Sequence, residues 1–198
     1  MNQDIEVVNC IADVRDLNVL EKIFSKYKPD VVYHAAAYKH VPMMEENPSR
    51  MFYVLRECGA LTRILPEVDV LFGVPQPAHA HPEIDTGLHI MLAIDYAAVR
   101  NYSLPVRFAT LTHDLGKGTT PPEEWPRHIG HEERSIDLTR NLCERIRIPK
   151  DSRDLALLVA RYHGNVHRAE ELKPSTLADI LQAVDAYRKP GRFEEFLQ

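Results

Sequence analysis

The sequence predicts a mainly α fold, a helical bundle preceded by a small βαβ fragment, and three observations carry that expectation. From Arg50 onward, apolar residues recur at helical spacing and no strand pattern is convincing. Joints rich in proline and glycine separate these segments: GVPQPAHAHP, KGTTPPEEWP, RIPKD and LKPS. The first 49 residues read differently, as two short apolar runs on either side of one helical pattern. The 198 residues therefore divide into 1–49 and 50–198, with the join near Pro48–Arg50.

Taken in order, Ile5-Glu6-Val7-Val8-Asn9 is a short β-branched run and reads as a strand. Leu17, Leu20, Ile23, Phe24 and Tyr27 follow at helical spacing, behind Asp16 as N-cap. Pro29-Asp30 breaks the helix before Val31-Val32-Tyr33-His34-Ala35, a continuous apolar run of the kind buried in parallel sheets. Two parallel strands leave both sheet edges uncovered, so this fragment is expected to pack on the bundle or to self-associate through its edge. About six helices should follow, over Met51–Cys58, Gly87–Tyr96, Val106–Asp114, His131–Arg145, Asp151–His163 and Ser175–Tyr187. Ser175 with Asp179, and Asp151 with Asp154, suit helix starts.

Composition excludes several function classes. Hydrophobic residues make up 44% and charged residues 27%, which suits a folded core and not a disordered chain. A formal net charge of -5 argues against a strongly basic nucleic-acid platform. No apolar run approaches the roughly 20 residues that cross a bilayer, and the start MNQDIEVVNC has no signal core, so no membrane partner is expected. Cys10, Cys58 and Cys143 are odd in number and far apart, and read as free thiols in a reducing, cytoplasmic setting.

Histidine is the unusual entry: there are ten, eight of them after residue 78. The most informative is His113-Asp114 in TLTHDLGKG. Adjacent helix positions differ by roughly 100°, so both reach one cation only if it lies between their directions. Imidazole with carboxylate suits a divalent transition metal. His89 lies upstream in TGLHIM, His128 and His131 follow in RHIGHEERS, His163 in RYHGN and Asp185 in LQAVDAYR. Singly each has a plain alternative, His89 as a core histidine, His163 as a helix C-terminal cation and Asp185 as a surface carboxylate. His79 and His81, in the Pro-rich loop, read as structural.

A His, then His-Asp, then further His and a late Asp resembles the HD superfamily of metal-dependent phosphohydrolases. The strings VLRECGAL, LPEVDVLFGVPQ, HPEIDTGLH, RFATLTHDLGKGTTP, RHIGHEERS, CERIRIP, RDLALLVARYHGNVH and ELKPSTL are similar to the HD domain of bacterial multifunctional CCA proteins, the tRNA nucleotidyltransferases. The resemblance runs from about Met51 to Leu197 and implies an HD-domain helical bundle. It implies 2',3'-cyclic phosphodiesterase, 2'-nucleotidase and phosphatase activities supported by nickel, magnesium or a similar divalent metal. By motif, His89, His113, Asp114 and Asp185 are the implied ligands. His131 and His163 would contact phosphate, support the ligands from outside or hold a second metal. Lys117, three residues past Asp114, either holds a phosphate oxygen or is a helix C-terminal cation. Arg127 and His128 either meet the phosphate or a nucleotide 3' end, or are solvated loop groups. Imidazole-rich chemistry favours nickel, cobalt, zinc or iron, while carboxylate and water positions admit magnesium or manganese.

The N-terminal string ADVRDLNVLEKIFSKYKPDVVYHAAAYKHVPMMEENP resembles a different family, the UDP-N-acetylglucosamine 4,6-dehydratases of polysaccharide biosynthesis, and implies a Rossmann-like fragment. It lacks the Gly-rich phosphate turn and a downstream Tyr-x-x-x-Lys pair, so no NAD and no dehydratase activity are expected. Nor does a Gly-Ser loop with Asp-x-Asp occur, so no CCA addition is expected. The chain reads as a fusion. The expected activity is metal-assisted hydrolysis of a phosphorylated nucleotide or RNA 3' end, with His113, Asp114 and Lys117 catalytic. The alternative is a non-catalytic RNA-binding or interaction module with a structural metal.

Overall fold

The computed structural model describes residues 17–29, 47–78 and 82–198. The chain forms two compact units, Met1–Met43 and Met44–Gln198. In the first, the described residues form one helix, α1 (Leu17–Tyr27), where the spacing of Leu17, Leu20, Ile23, Phe24 and Tyr27 predicts one. The βαβ expectation is corrected here: the fold is helical, and no strand ladder occurs among the described residues, which hold a single isolated bridge, Pro75 to Asp85. Two short strands without neighbours would not make a stable sheet, whereas an amphipathic helix satisfies its own backbone. The expected strands at 5–9 and 31–35, their sheet edge and Cys10 lie outside the described residues.

The second unit is helical throughout its named elements. Asn47 precedes α2 (Pro48–Glu57), which has proline in its first turn, where no hydrogen bond is lost. Two one-turn helices follow, α3 (Leu61–Ile64) and α4 (Pro66–Asp69), neither of them evident from periodicity. The Asp85 side chain caps α5 (Thr86–Val99), accepting from Leu88 N at 2.9 Å and from Gly73 N at 2.6 Å. Ser103 caps α6 (Leu104–Thr112) and donates to Glu195 Oε1 at 2.6 Å. Then come α7 (His131–Arg145), α8 (Lys150–Val166), α9 (Pro174–Ala183) and α10 (Pro190–Leu197). Among the described residues no helix is long and apolar enough to cross a membrane.

Two apolar clusters flank α6. Phe52, Leu61, Val68, Leu71, Ile90, Met91, Ile94, Leu115 and Leu142 form one, uniting α2 to α5 with α7. Val106, Ala109, Leu155, Ala156, Ile180, Val184 and Phe196 form the other, uniting α6 with α8, α9 and α10. Phe108 packs against both. Helix α6 therefore runs along the seam, and its C-terminus delivers His113 and Asp114 where α5, α7 and α8 also arrive.

Candidate metal centre

The sequence predicts a helix through Asp114, but α6 ends at Thr112. His113 is the last residue with helical dihedrals, and Asp114 (φ -111, ψ 14) opens a 3₁₀ turn over Leu115–Thr119. That turn lies directly against α7. A Cβ on Gly116 would stand 2.1 Å from the His131 carbonyl oxygen and 2.7 Å from Ser135 N, so only glycine fits. Gly116 N donates to Ser135 Oγ at 2.8 Å, and its carbonyl accepts from Arg134 Nε at 3.2 Å. This close approach brings His131, at the start of α7, to Asp114.

Asp114 is 1% exposed and is the hub of the site. Its Oδ2 accepts from Lys117 Nζ at 2.8 Å and lies 3.2 Å from His113 Nε2. Its Oδ1 faces His131 Nε2 at 3.4 Å and His163 Nε2 at 3.5 Å, too far for well-formed hydrogen bonds, and has no hydrogen-bond donor. Burial pushes this carboxyl toward neutrality, but the charge and hydrogen-bonding capacity of His113, with His131 and His163, hold it well below the usual carboxylate range. Burial works against the charged form of His163 too, and the Asp114 carboxylate outweighs it and raises that pKa.

All three imidazoles are oriented in the same manner. His113 Nδ1 donates to the Thr110 carbonyl at 2.8 Å, His131 Nδ1 to that of His128 at 2.9 Å and His163 Nδ1 to that of Val159 at 3.0 Å. A carbonyl only accepts, so Nδ1 carries the hydrogen, and in a neutral ring Nε2 presents a lone pair. Three lone pairs then face one buried carboxylate. Protonation or a bound cation relieves that opposition, and backbone-fixed imidazoles are the usual support for a metal ligand. The residues fit a divalent cation in this sense. Among the described residues two sets place their ligand atoms within 4.8 Å of one another: His89, His113 and Asp114, and Asp114, His131 and His163.

Around this centre lies a partly buried polar chain, in which the motifs indicated Lys117 and His89 but not Gln76 and Glu83. Lys117, 6% exposed, donates to Gln76 Oε1 at 2.9 Å as well as to Asp114. Gln76 Nε2 reaches Glu83 Oε1 at 3.4 Å, and Glu83 pairs with His89 Nδ1 at 2.5 Å. Burial, with the charge of His113, lowers the His89 pKa. The only advance signal was Gln76 itself, a polar residue between two prolines. His128, expected in a solvated or phosphate-contacting loop, is 1% exposed, with Nε2 donating to the Pro75 carbonyl at 2.7 Å and Nδ1 without a partner. Arg127 is exposed. Asp185 is not brought to the cluster: at positive φ (57°) beyond the end of α9, its carboxylate accepts from Arg188 Nε at 2.7 Å. His79 and His81 lie outside the described residues.

Two family models match the chain, "Polysaccharide biosynthesis protein" over residues 1–54 and "HD domain" over residues 86–189. Over 156 residues the chain is 76% identical to the multifunctional CCA protein of Nitrosospira multiformis, 75% to that of Nitrosomonas eutropha and 65% to that of Burkholderia mallei. Each of these matches covers 79% of this chain and 38% of the relative. The chain therefore spans well under half of these relatives' length. No solved structure matches.

Proposed function

The chain belongs to the HD-domain family, and from that premise we propose that it is a metal-dependent phosphohydrolase acting on 2'-nucleotides, 2',3'-cyclic phosphates or an RNA 3' end. The observation that carries this reading is the buried Asp114 carboxylate, faced by the Nε2 atoms of His113, His131 and His163. We assign the cation to those four residues with His89. The set is rich in imidazole, which favours nickel or cobalt, and its carboxylate still admits manganese or magnesium. A bound divalent cation supplies Lewis acidity toward a phosphoryl oxygen and lowers the pKa of water.

The chain's own groups do the rest. Thr110, His128 and Val159 carbonyls fix the three rings, so ligand geometry is set before substrate arrives. Asp114 is fully buried, so its charge acts where water screens it little. Lys117 Nζ holds Oδ2 in place and is a fixed cation that would meet a phosphoryl oxygen at this site. Asp114 Oδ1, lacking a donor, is the acceptor toward which an attacking water would turn a hydrogen.

The test is hydrolysis of 2',3'-cyclic AMP by metal-stripped protein, with nickel, manganese or magnesium restored, beside Asp114→Asn. Turnover should depend on metal and fall by more than about 100-fold in the variant. Folded protein inactive with every metal would overturn the reading and favour an interaction module.

A further inference from the structure

A cavity of about 480 Å³ lies between α5 and α6 and shares walls with the metal centre. At one end stand His89 and its partner Glu83, and Thr110, whose carbonyl fixes the His113 ring, contributes to the wall. From there His89, Leu92, Ala93 and Tyr96 line it at successive turns of one face of α5, and Tyr102 faces them. His89 to Tyr96 is seven residues, a run of about 10 Å along the helix. The wall is thus polar where it adjoins the metal ligands and apolar and aromatic farther along α5, with Gln198 also in the lining. Tyr96 and Tyr102 stand edge to face with centroids 6.5 Å apart, and the Arg100 guanidinium lies 5.0 Å from the Tyr96 centroid. Leu92 is 60% exposed and Tyr96 54%, a large apolar area for residues lining a cavity. The volume lies in the range of small-molecule sites.

We propose that this cavity is the nucleoside subsite of the Asp114 centre, with the base against Tyr96 and Tyr102, the ribose near Glu83, and the phosphoryl group at His89, His113 and Asp114. The proposal rests on the phosphohydrolase reading above for its phosphate end only. A flat aromatic group suits it because tyrosine faces bind any base by stacking, whereas an alkyl phosphate would leave the far half of the cavity unfilled. Leu92 and Tyr96, which the described residues leave exposed, are the surface the base would cover.

The probe is adenosine, which has no phosphate to hydrolyse, titrated calorimetrically into the full chain loaded with manganese. Adenosine should bind, and Tyr96→Ala should weaken it about 5- to 100-fold, with Tyr96→Phe close to the parent. Leu92→Ser, on an equally exposed side chain, should weaken it in the same direction, and circular dichroism confirms that each variant is folded. In parallel, the preference for adenosine 2'-phosphate over glycerol 2-phosphate should fall in Tyr96→Ala. Adenosine binding that is absent, or equal in parent and both variants, overturns the subsite even if both esters are hydrolysed. Binding weakened by the variants in protein that hydrolyses neither ester keeps the subsite and removes the hydrolase reading.

Discussion

At the scale of single residues, Lys117 has the most exposed consequences. Its ammonium is buried between Asp114 Oδ2 at 2.8 Å and Gln76 Oε1 at 2.9 Å, so neither acceptor depends on solvent. Removing one member of a buried pair leaves the other charge without compensation, at a cost of about 3–5 kcal/mol. Lys117→Met keeps the stem's packing and deletes only the charge. In metal-free protein its urea midpoint should therefore drop by an amount corresponding to about 3 kcal/mol. An unchanged midpoint would show that the three imidazoles alone neutralise Asp114. Sequence spacing offers two roles for Lys117, phosphate contact and helix C-terminal cation, and the buried position adds a third, as the Asp114 counter-ion. The partner that makes it so, Gln76, is 41 residues away and comes from a Pro-rich loop, so no local pattern joins them.

At the scale of elements, the decisive feature is the turn after α6. The sequence marks the helices well where apolar spacing is sustained, as in α5, α7 and α8, and it marks His-Asp as the chemical centre. It misplaces the end of α6 because the exit is set by a tertiary contact: Gly116 against the His131 carbonyl, which a periodicity argument does not contain. The LGKG string holds the clue, since two glycines permit a turn tight enough to meet a neighbouring backbone. The late Asp185 shows the same limit, since the end of α9 at Ala183 and the Arg188 pair turn it away. Gly116→Ala tests the turn. Its Cβ would meet backbone at the His131 carbonyl and Ser135 N and the Arg134 Cβ on a third side, none of them the far end of a flexible side chain, so α7 must shift. Stability should fall by at least about 1–3 kcal/mol, and nickel affinity should fall with it, since His131 moves away from Asp114. A variant with parental melting temperature and parental nickel affinity would mean that the turn does not position the site.

For the second unit as a whole, the candidate metal centre lies where the two apolar clusters meet. His89 comes from the α5 side, His163 from α8, and α6 with its turn lies between them. Each cluster is held by its own apolar contacts, and among charged groups the centre is where elements of both clusters converge on one carboxylate. Without a cation the site opposes lone pairs to a buried anion; with one, the same atoms attract. Cation binding should therefore stabilise the folded unit strongly, because the unfolded chain has no such arrangement to bind it. At a free concentration near 100 times Kd, the gain is about 2.7 kcal/mol. For a chain of this size that corresponds to a rise in melting temperature of about 5–10 °C. Thermal scans of metal-stripped protein with nickel, cobalt, manganese and magnesium should show it for at least one ion, as a shift of the whole transition. In Asp114→Asn a neutral amide of similar size leaves the buried Lys117 ammonium without its counter-ion, so the apo protein should melt below the parent and the metal-dependent rise should disappear. A parent that shows no rise with any of the four would mean that protonated histidines, and not a cation, resolve the opposition around Asp114.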